Sequence, residues 1–143
     1  CQVYGGYDAE YPASNRAVED TAHQILTSHG EPAFTQFGSS SGGWTAAGSV
    51  PYLPAQDDPY DGWSGNPMHS WSVSLSDTAI ERAWPAVGEL RRITVTKRDG
   101  HGDWGGRVVS ITLGGRSGRV TMSGDTFRSV LGLRSTWVTF RVN

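Results

Sequence analysis

Three groups of residues have the types and spacing to do chemistry. The run Gly38-Ser39-Ser40-Ser41-Gly42 fits the Gly-x-Ser-x-Gly pattern of a nucleophile elbow with Ser40 at its apex. Asp57, Asp58, His69 and His101 follow it in serine, acid, histidine order. That chemistry needs a helix directly after the serine and a parallel sheet beneath it, and Gly42-Gly43-Trp44 is a poor helix start. The better fit is a turn or ligand loop whose small side chains leave backbone N–H groups open to a substrate. The second group, Asp57-Asp58-Pro59-Tyr60-Asp61-Gly62, gathers three carboxylates in five residues. It lacks the acidic third position and the closing Glu of a calcium loop. It does have the residue types of a glycosidase pair, in which one carboxyl stays protonated beside an ionised one. Equally, Asp57 or Asp58 can hydrogen-bond the turn backbone ahead of Pro59.

The third group is aromatic. Trp44, Tyr52, Tyr60 and Trp63 stand among short polar residues, and a sugar ring offers such a surface an apolar C–H face with a polar rim. The same four side chains could instead form a satellite core beneath a long loop. Both readings are open. His23, His29, His69 and His101 show no metal-ligand spacing, and the single cysteine, Cys1, is near none of them. No metal site and no cofactor are therefore expected. Glu10, Glu19, Glu31, Glu81 and Glu89 are general-acid candidates by type, but none is marked out by its surroundings.

These residues need elements to position them. Residues 1–13 read as an exposed loop. A first helix then has Ser14 or Asn15 as N-cap, carries Val18, Ala22, Ile25 and Leu26 on one face, and stops at Gly30 and Pro32. Ala33 to Phe37 reads as extended. Residues 38–67, rich in Gly, Ser and Pro, lack a period; their aromatics argue for an ordered, loop-built surface. Alternation predicts a strand over Trp71, Val73 and Leu75. A short helix follows, capped by Ser76 or Asp77 and stopped by Pro85. Further strands are predicted over Leu90, Ile93 and Val95, over Val109, Ile111 and Leu113, and over 119–122. The last two form a hairpin whose loop, Gly114 to Gly118, supplies glycine for positive φ. A last helix is capped at 123–125 and closed by Gly132, and Val138, Phe140 and Val142 alternate as a closing strand. The fold class is α+β: a small, mixed but largely antiparallel sheet, about three short helices and one long ordered loop segment.

Composition narrows the function. The chain has 143 residues, the size of one domain, with 36% hydrophobic and 18% charged residues, 19 Gly and 6 Trp. This disfavours coiled coils and helical bundles. A formal net charge of -2 supplies no field to condense on nucleic acid or anionic lipid. No apolar run approaches the roughly 18 residues that span a bilayer.

The run from Gly38 to Ala46, the run from Val50 to Asp61, then Trp71, and finally Met122-Ser123-Gly124-Asp125-Thr126-Phe127-Arg128-Ser129-Val130-Leu131-Gly132-Leu133-Arg134-Ser135 occur in an order that resembles the bacterial SpoIID/LytB domain family. The family includes stage II sporulation protein D and amidase enhancers. The opening Cys1-Gln2-Val3-Tyr4-Gly5-Gly6 and the residues from Arg16 to Leu26 are similar to the segment that precedes its serine-glycine loop.

The resemblance implies an extracytoplasmic lytic transglycosylase acting on the glycan strands of peptidoglycan. In that family a Glu serves as general acid and base, protonating the leaving oxygen and helping the sugar's own hydroxyl close an anhydro ring. That Glu lies upstream of the Cys1 motif, so this chain is expected to be a single domain, residues 1–143, lacking its catalytic front. No catalytic residue is assigned to it. Ser39, Ser40, Ser41, Gly42, Gly43, Trp44, Asp57, Asp58, Tyr60 and Asp61 are expected to wall a glycan groove within 38–67. A cell-wall amidase or the missing upstream segment is the further partner implied, and a non-catalytic binding or amidase-activator module is the alternative function. Zinc, which some members hold with His and Cys near the glycine pair, is not expected where Gly38, Ser39, Ser40 and Ser41 stand. Cys1 has three open readings: a lipidated first residue, half of a disulfide with an upstream cysteine, or a buried thiol.

Overall fold

The computed structural model describes residues 5–141, divided into two units, Cys1–Gln36 and Phe37–Asn143. The Cys1 to Tyr4 part of the opening motif, with every reading of Cys1, lies outside the described residues, as does Val142.

In the first unit a 3-10 turn, Tyr7–Ala9, precedes helix α1, Pro12–Asp20. The helix starts earlier than the Ser14 or Asn15 cap implied. Tyr11 is the N-cap and Pro12 takes the first turn, where a missing N–H costs nothing and φ is already helical. It also stops earlier. The Thr21 hydroxyl bonds the Ala17 carbonyl at 2.7 Å and His23 takes φ 64°, a left-handed conformation that ends a helix. Strands β1, Thr27–Ser28, and β2, Glu31–Pro32, then pair antiparallel. Gly30, at φ 84°, therefore turns a small hairpin instead of stopping the helix. The helix buries no residue, and Val18, Ile25 and Leu26 are all exposed.

The second unit is built on one antiparallel sheet. Helix α2, Asp77–Ala83, has Ser76 as its cap, the serine side chain accepting from the Ala79 N–H. Pro85 stops it and opens a 3-10 turn, Pro85–Val87. Strands β3, Leu90–Arg98, β4, Val108–Gly115, and β5, Arg119–Ser123, lie in the order β3-β4-β5. Helix α3, Gly124–Val130, is capped by Ser123, which accepts from the Thr126 N–H. Gly132, at φ 65°, closes it: Gly132 donates to Ser129 and Leu133 to Arg128, a Schellman motif. The core lies between the sheet and helices: Ile80, Val87, Val108, Ile111, Leu113, Phe127 and Leu133. Phe127 stacks on Trp84 at 5.6 Å and meets Phe140 edge-on at 5.8 Å.

Four expectations here need correction. Trp71 to Ser76 is not a strand. Trp71 and Leu75 lean on the core while Val73 is 55% exposed; the alternation is real, but no neighbouring strand accepts its backbone. Val138 and Phe140 also pack against the core without joining the sheet, and the Val138 carbonyl is met by the Arg98 guanidinium at 2.9 Å. A register shift near Lys97 and Arg98 turns Val108 inward in place of Val109. The hairpin glycines do not use positive φ. Gly115 is needed because a Cβ would run into the carbonyls of Val87 and Glu89.

Candidate functional site

Residues 38–67 contain no helix and no paired strand, only turns and one isolated antiparallel bridge between Trp44 and Asp57. Two arms meet at that bridge. Thr45 donates to Gln56 at 2.9 Å and Asp58 to Gly43 at 2.9 Å. Beyond it the chain advances in four overlapping turns, their N–H bonds running Asp61 to Asp58, Trp63 to Tyr60, Asn66 to Trp63 and His69 to Asn66. These turns present Tyr60 and Trp63 outward, 83% and 66% exposed. The Trp63 indole lies directly on Gly65, where a Cβ would collide with the ring.

Asp61 holds the two arms together. It is the buried charged residue of the described chain, 9% exposed. Its carboxylate accepts from Ser40 Oγ at 2.8 Å, from the Ser41 N–H at 2.8 Å and from the Gly42 N–H at 2.9 Å. His69 Nδ1 lies 2.7 Å from Oδ2. Burial alone would raise this carboxyl, but the bonds from His69, Ser40 and the Ser41 and Gly42 backbone outweigh it and hold it at about 2. Because Asp61 is ionised, the hydrogen between it and His69 sits on Nδ1. Around this hub, Ser41 Oγ donates to Asp58 Oδ2 at 2.8 Å, and Asn66 Nδ2 donates to the Asp61 carbonyl at 2.8 Å and to Ser40 Oγ at 3.3 Å.

A second anchor reaches the loop from the sheet. Arg107, just ahead of β4, donates Nη2 to the carbonyls of Ser41 and Trp44 at 2.6 and 3.0 Å and Nη1 to Ser135 Oγ at 2.8 Å. Its guanidinium stands 5.4 Å from the Trp137 ring centroid. Burial lowers its pKa against the raising effect of Asp99 and Asp125. Gly42, at φ 76°, rests on Trp137, whose ring would stand 3.2 Å from a Cβ. Trp44 stacks on His101 at 4.7 Å.

Ser39, Asp58, Tyr60 and Asp61 thus share one open depression of about 470 Å³ with Trp63, Gly65, Asn66, Pro67 and Met68. Ser40, Ser41, Gly42, Gly43, Trp44 and Asp57 do not line it; they form its support. One reading of the serine loop changes. The N–H groups of Ser41, Gly42 and Gly43 are not open to a substrate, since Ser41 and Gly42 donate to Asp61 and Gly43 donates to Ser41 Oγ. Ser40 has no catalytic-triad geometry either: His69 binds the same carboxylate as Ser40 instead of Ser40 itself, and no helix follows it. The turn-binding carboxylate is Asp61, beyond Pro59, and not Asp57 or Asp58 ahead of it. Among the described residues no three His, Cys, Asp or Glu side chains gather as a metal site. The residues missed from sequence are Asn66, Met68, Arg107 and Trp137. Only Asn66, a turn former before Pro67, carried a local signal.

Against known proteins, no family model matches the chain and no solved structure matches it. Among curated proteins it is 36% identical over 86 residues to the amidase enhancer of Bacillus subtilis (strain 168). That alignment covers 56% of this chain and 11% of the relative, so the chain spans about a tenth of the length of the protein it matches. The similarity bears out the resemblance to the SpoIID/LytB family carried by the ordered motifs, and it supports a cell-wall-related role.

Proposed function

We propose that this chain supplies part of the substrate groove of an extracytoplasmic, SpoIID/LytB-like domain that processes the glycan strands of peptidoglycan. The observation that carries this is the depression itself. Two exposed aromatic rings, Tyr60 and Trp63, stand beside the polar Ser39, Asp58 and Asn66, on turns fixed from beneath by a buried carboxylate. Aromatic faces take the C–H side of a sugar ring and polar neighbours take its hydroxyls. The reaction is lytic transglycosylation: a general acid protonates the glycosidic oxygen, the C1–O bond breaks, and the sugar's own hydroxyl closes on C1 as its proton passes to the same carboxylate. Asp61 cannot be that acid. At about 2 its carboxyl is ionised at neutral pH and holds no proton to give. The acid is a Glu contributed by sequence ahead of residue 1.

The name of the relative, amidase enhancer, supports a second reading in which the domain binds glycan and stimulates a cell-wall amidase without turnover. Incubation with purified peptidoglycan, followed by mass spectrometry, separates the two. On the first reading a protein that includes the upstream segment yields anhydro-muramyl ends and the 143-residue chain yields none. Anhydro product from the chain alone would overturn the placement of the acid. Absence of product from both, with a faster amidase rate when the chain is added, would favour the activator.

A further inference from the structure

We propose that Arg134 reads a carboxylate on the ligand of this depression, so that the site prefers an acidic glycan to a neutral one; this rests on the glycan reading above. The backbone fixes where the arginine stands. After the Gly132 turn, Leu133 bonds back to Arg128 and is buried in the core, so the next side chain leaves the core. On the far side Ser135 Oγ accepts from Arg107 at 2.8 Å and from the Trp137 N–H at 3.0 Å. Arg134 therefore projects from a short segment anchored at both ends. Its Nη1 lies 3.4 Å from the Met68 sulfur, and Met68 lines the depression with Tyr60 and Trp63.

The charge at this point is uncompensated. Arg91 and Arg116 stand within 4 Å of Glu89, and Arg128 within 4 Å of Asp125. Arg134 has no carboxylate partner among the described residues, which is true also of Arg82, Arg92 and Arg119; what sets it apart is its place beside Met68 at the depression, where a thioether is only a weak acceptor. The acids of the depression are engaged elsewhere: Asp61 by its four donors and Asp58 with Ser41. A guanidinium offers two parallel N–H donors that match one carboxylate. A sugar seated on Tyr60 and Trp63 would bring an acidic substituent to that fork. In peptidoglycan such a carboxylate has two sources, the lactyl group of muramic acid and the peptide stem.

Fluorescence titration of the 143-residue chain tests this with four probes: chitotetraose, an alternating glucosamine–muramic acid tetrasaccharide with free lactyl groups, the same tetrasaccharide with lactyl methylamides, and its peptide-bearing form. The wild type should bind a carboxylate-bearing probe roughly three- to tenfold more tightly than chitotetraose or the methylamide, with a preference that weakens in salt. A gain with free lactyl groups assigns the lactyl source; a gain confined to the peptide-bearing form assigns the stem. Arg134→Gln should lose the preference while keeping its affinity for chitotetraose, and Arg134→Lys should retain part of it. An acidic preference that survives in Arg134→Gln, or none in the wild type, overturns the assignment and leaves the glycan reading standing. Failure of every probe to bind overturns both.

Discussion

Asp61 joins two loop arms that are 20 residues apart in sequence, and its charge is what they hold. Asp61→Asn keeps the shape but turns an N–H group toward the donors of Ser41 or Gly42. It should cost about 3 kcal/mol in guanidinium unfolding. Tryptophan fluorescence reports this cleanly, because all six tryptophans lie in the second unit. The pH dependence follows from the sign of the shift. The folded carboxyl sits at about 2, below its ordinary 3.8, so the ionised form is the one the fold binds. The contribution, about 2 kcal/mol, is fully present only above about pH 5 and is lost progressively as pH falls through 3.8 and about 2 toward about pH 1. Asp61→Asn should lack that part of the acid limb. A second residue-scale prediction concerns Gly65. Its φ is compatible with alanine, but a Cβ would displace the Trp63 ring. Gly65→Ala should weaken glycan binding several-fold with the unfolding midpoint almost unchanged, since ring and glycine are both exposed. The importance of Asp57 to Asp61 was legible from composition. That a carboxylate of this run could hold turn backbone was one of the open readings, placed on Asp57 or Asp58; that Asp61 is the one was not legible, because the donors from Ser40, Ser41 and His69 meet it only through tertiary folding.

Among the elements, those with a local chemical signal could be read and those that depend on a partner could not. Ser76 and Ser123 are hydroxyl caps with helix formers behind them, and Gly132 is a left-handed C-terminal stop; all three stand where expected. Ser76→Ala and Gly132→Ala should each cost about 1 kcal/mol by the same unfolding measurement. The alternations at Trp71–Leu75 and Val138–Phe140 correctly mark residues that touch the core, yet alternation reports burial and not pairing. The first helix was over-extended for the converse reason. Ile25 and Leu26 continue its apolar period, but Thr21 and His23 end it locally. Arg107 had no sequence signal at all. An arginine at the entry of a strand is ordinary, and its two bonds to the loop carbonyls come from residues more than 60 positions away.

At the scale of the molecule, a small sheet and two capped helices carry a long loop segment whose lower side is packing and whose upper side is exposed aromatic surface. Among the described residues no helix is long and apolar enough to cross a membrane, and the net charge of -2 leaves the chain without the field that condensation on nucleic acid or anionic lipid requires. The similarity to an amidase enhancer directs attention to the cell wall, where the glycan groove proposed above would act. The glycine and tryptophan content of the sequence pointed to a loop-built surface, and the structure locates its exposed part between Ser39 and Met68. The most direct test of the central claim is equilibrium binding of the 143-residue chain to purified peptidoglycan glycan strands, comparing wild type with Tyr60→Ala/Trp63→Ala. A glycan groove built on Tyr60 and Trp63 should give saturable binding by the wild type and at least roughly tenfold weaker binding by the double variant at an unchanged unfolding midpoint. Equal affinity of the two proteins, or no saturable binding by the wild type, would contradict it.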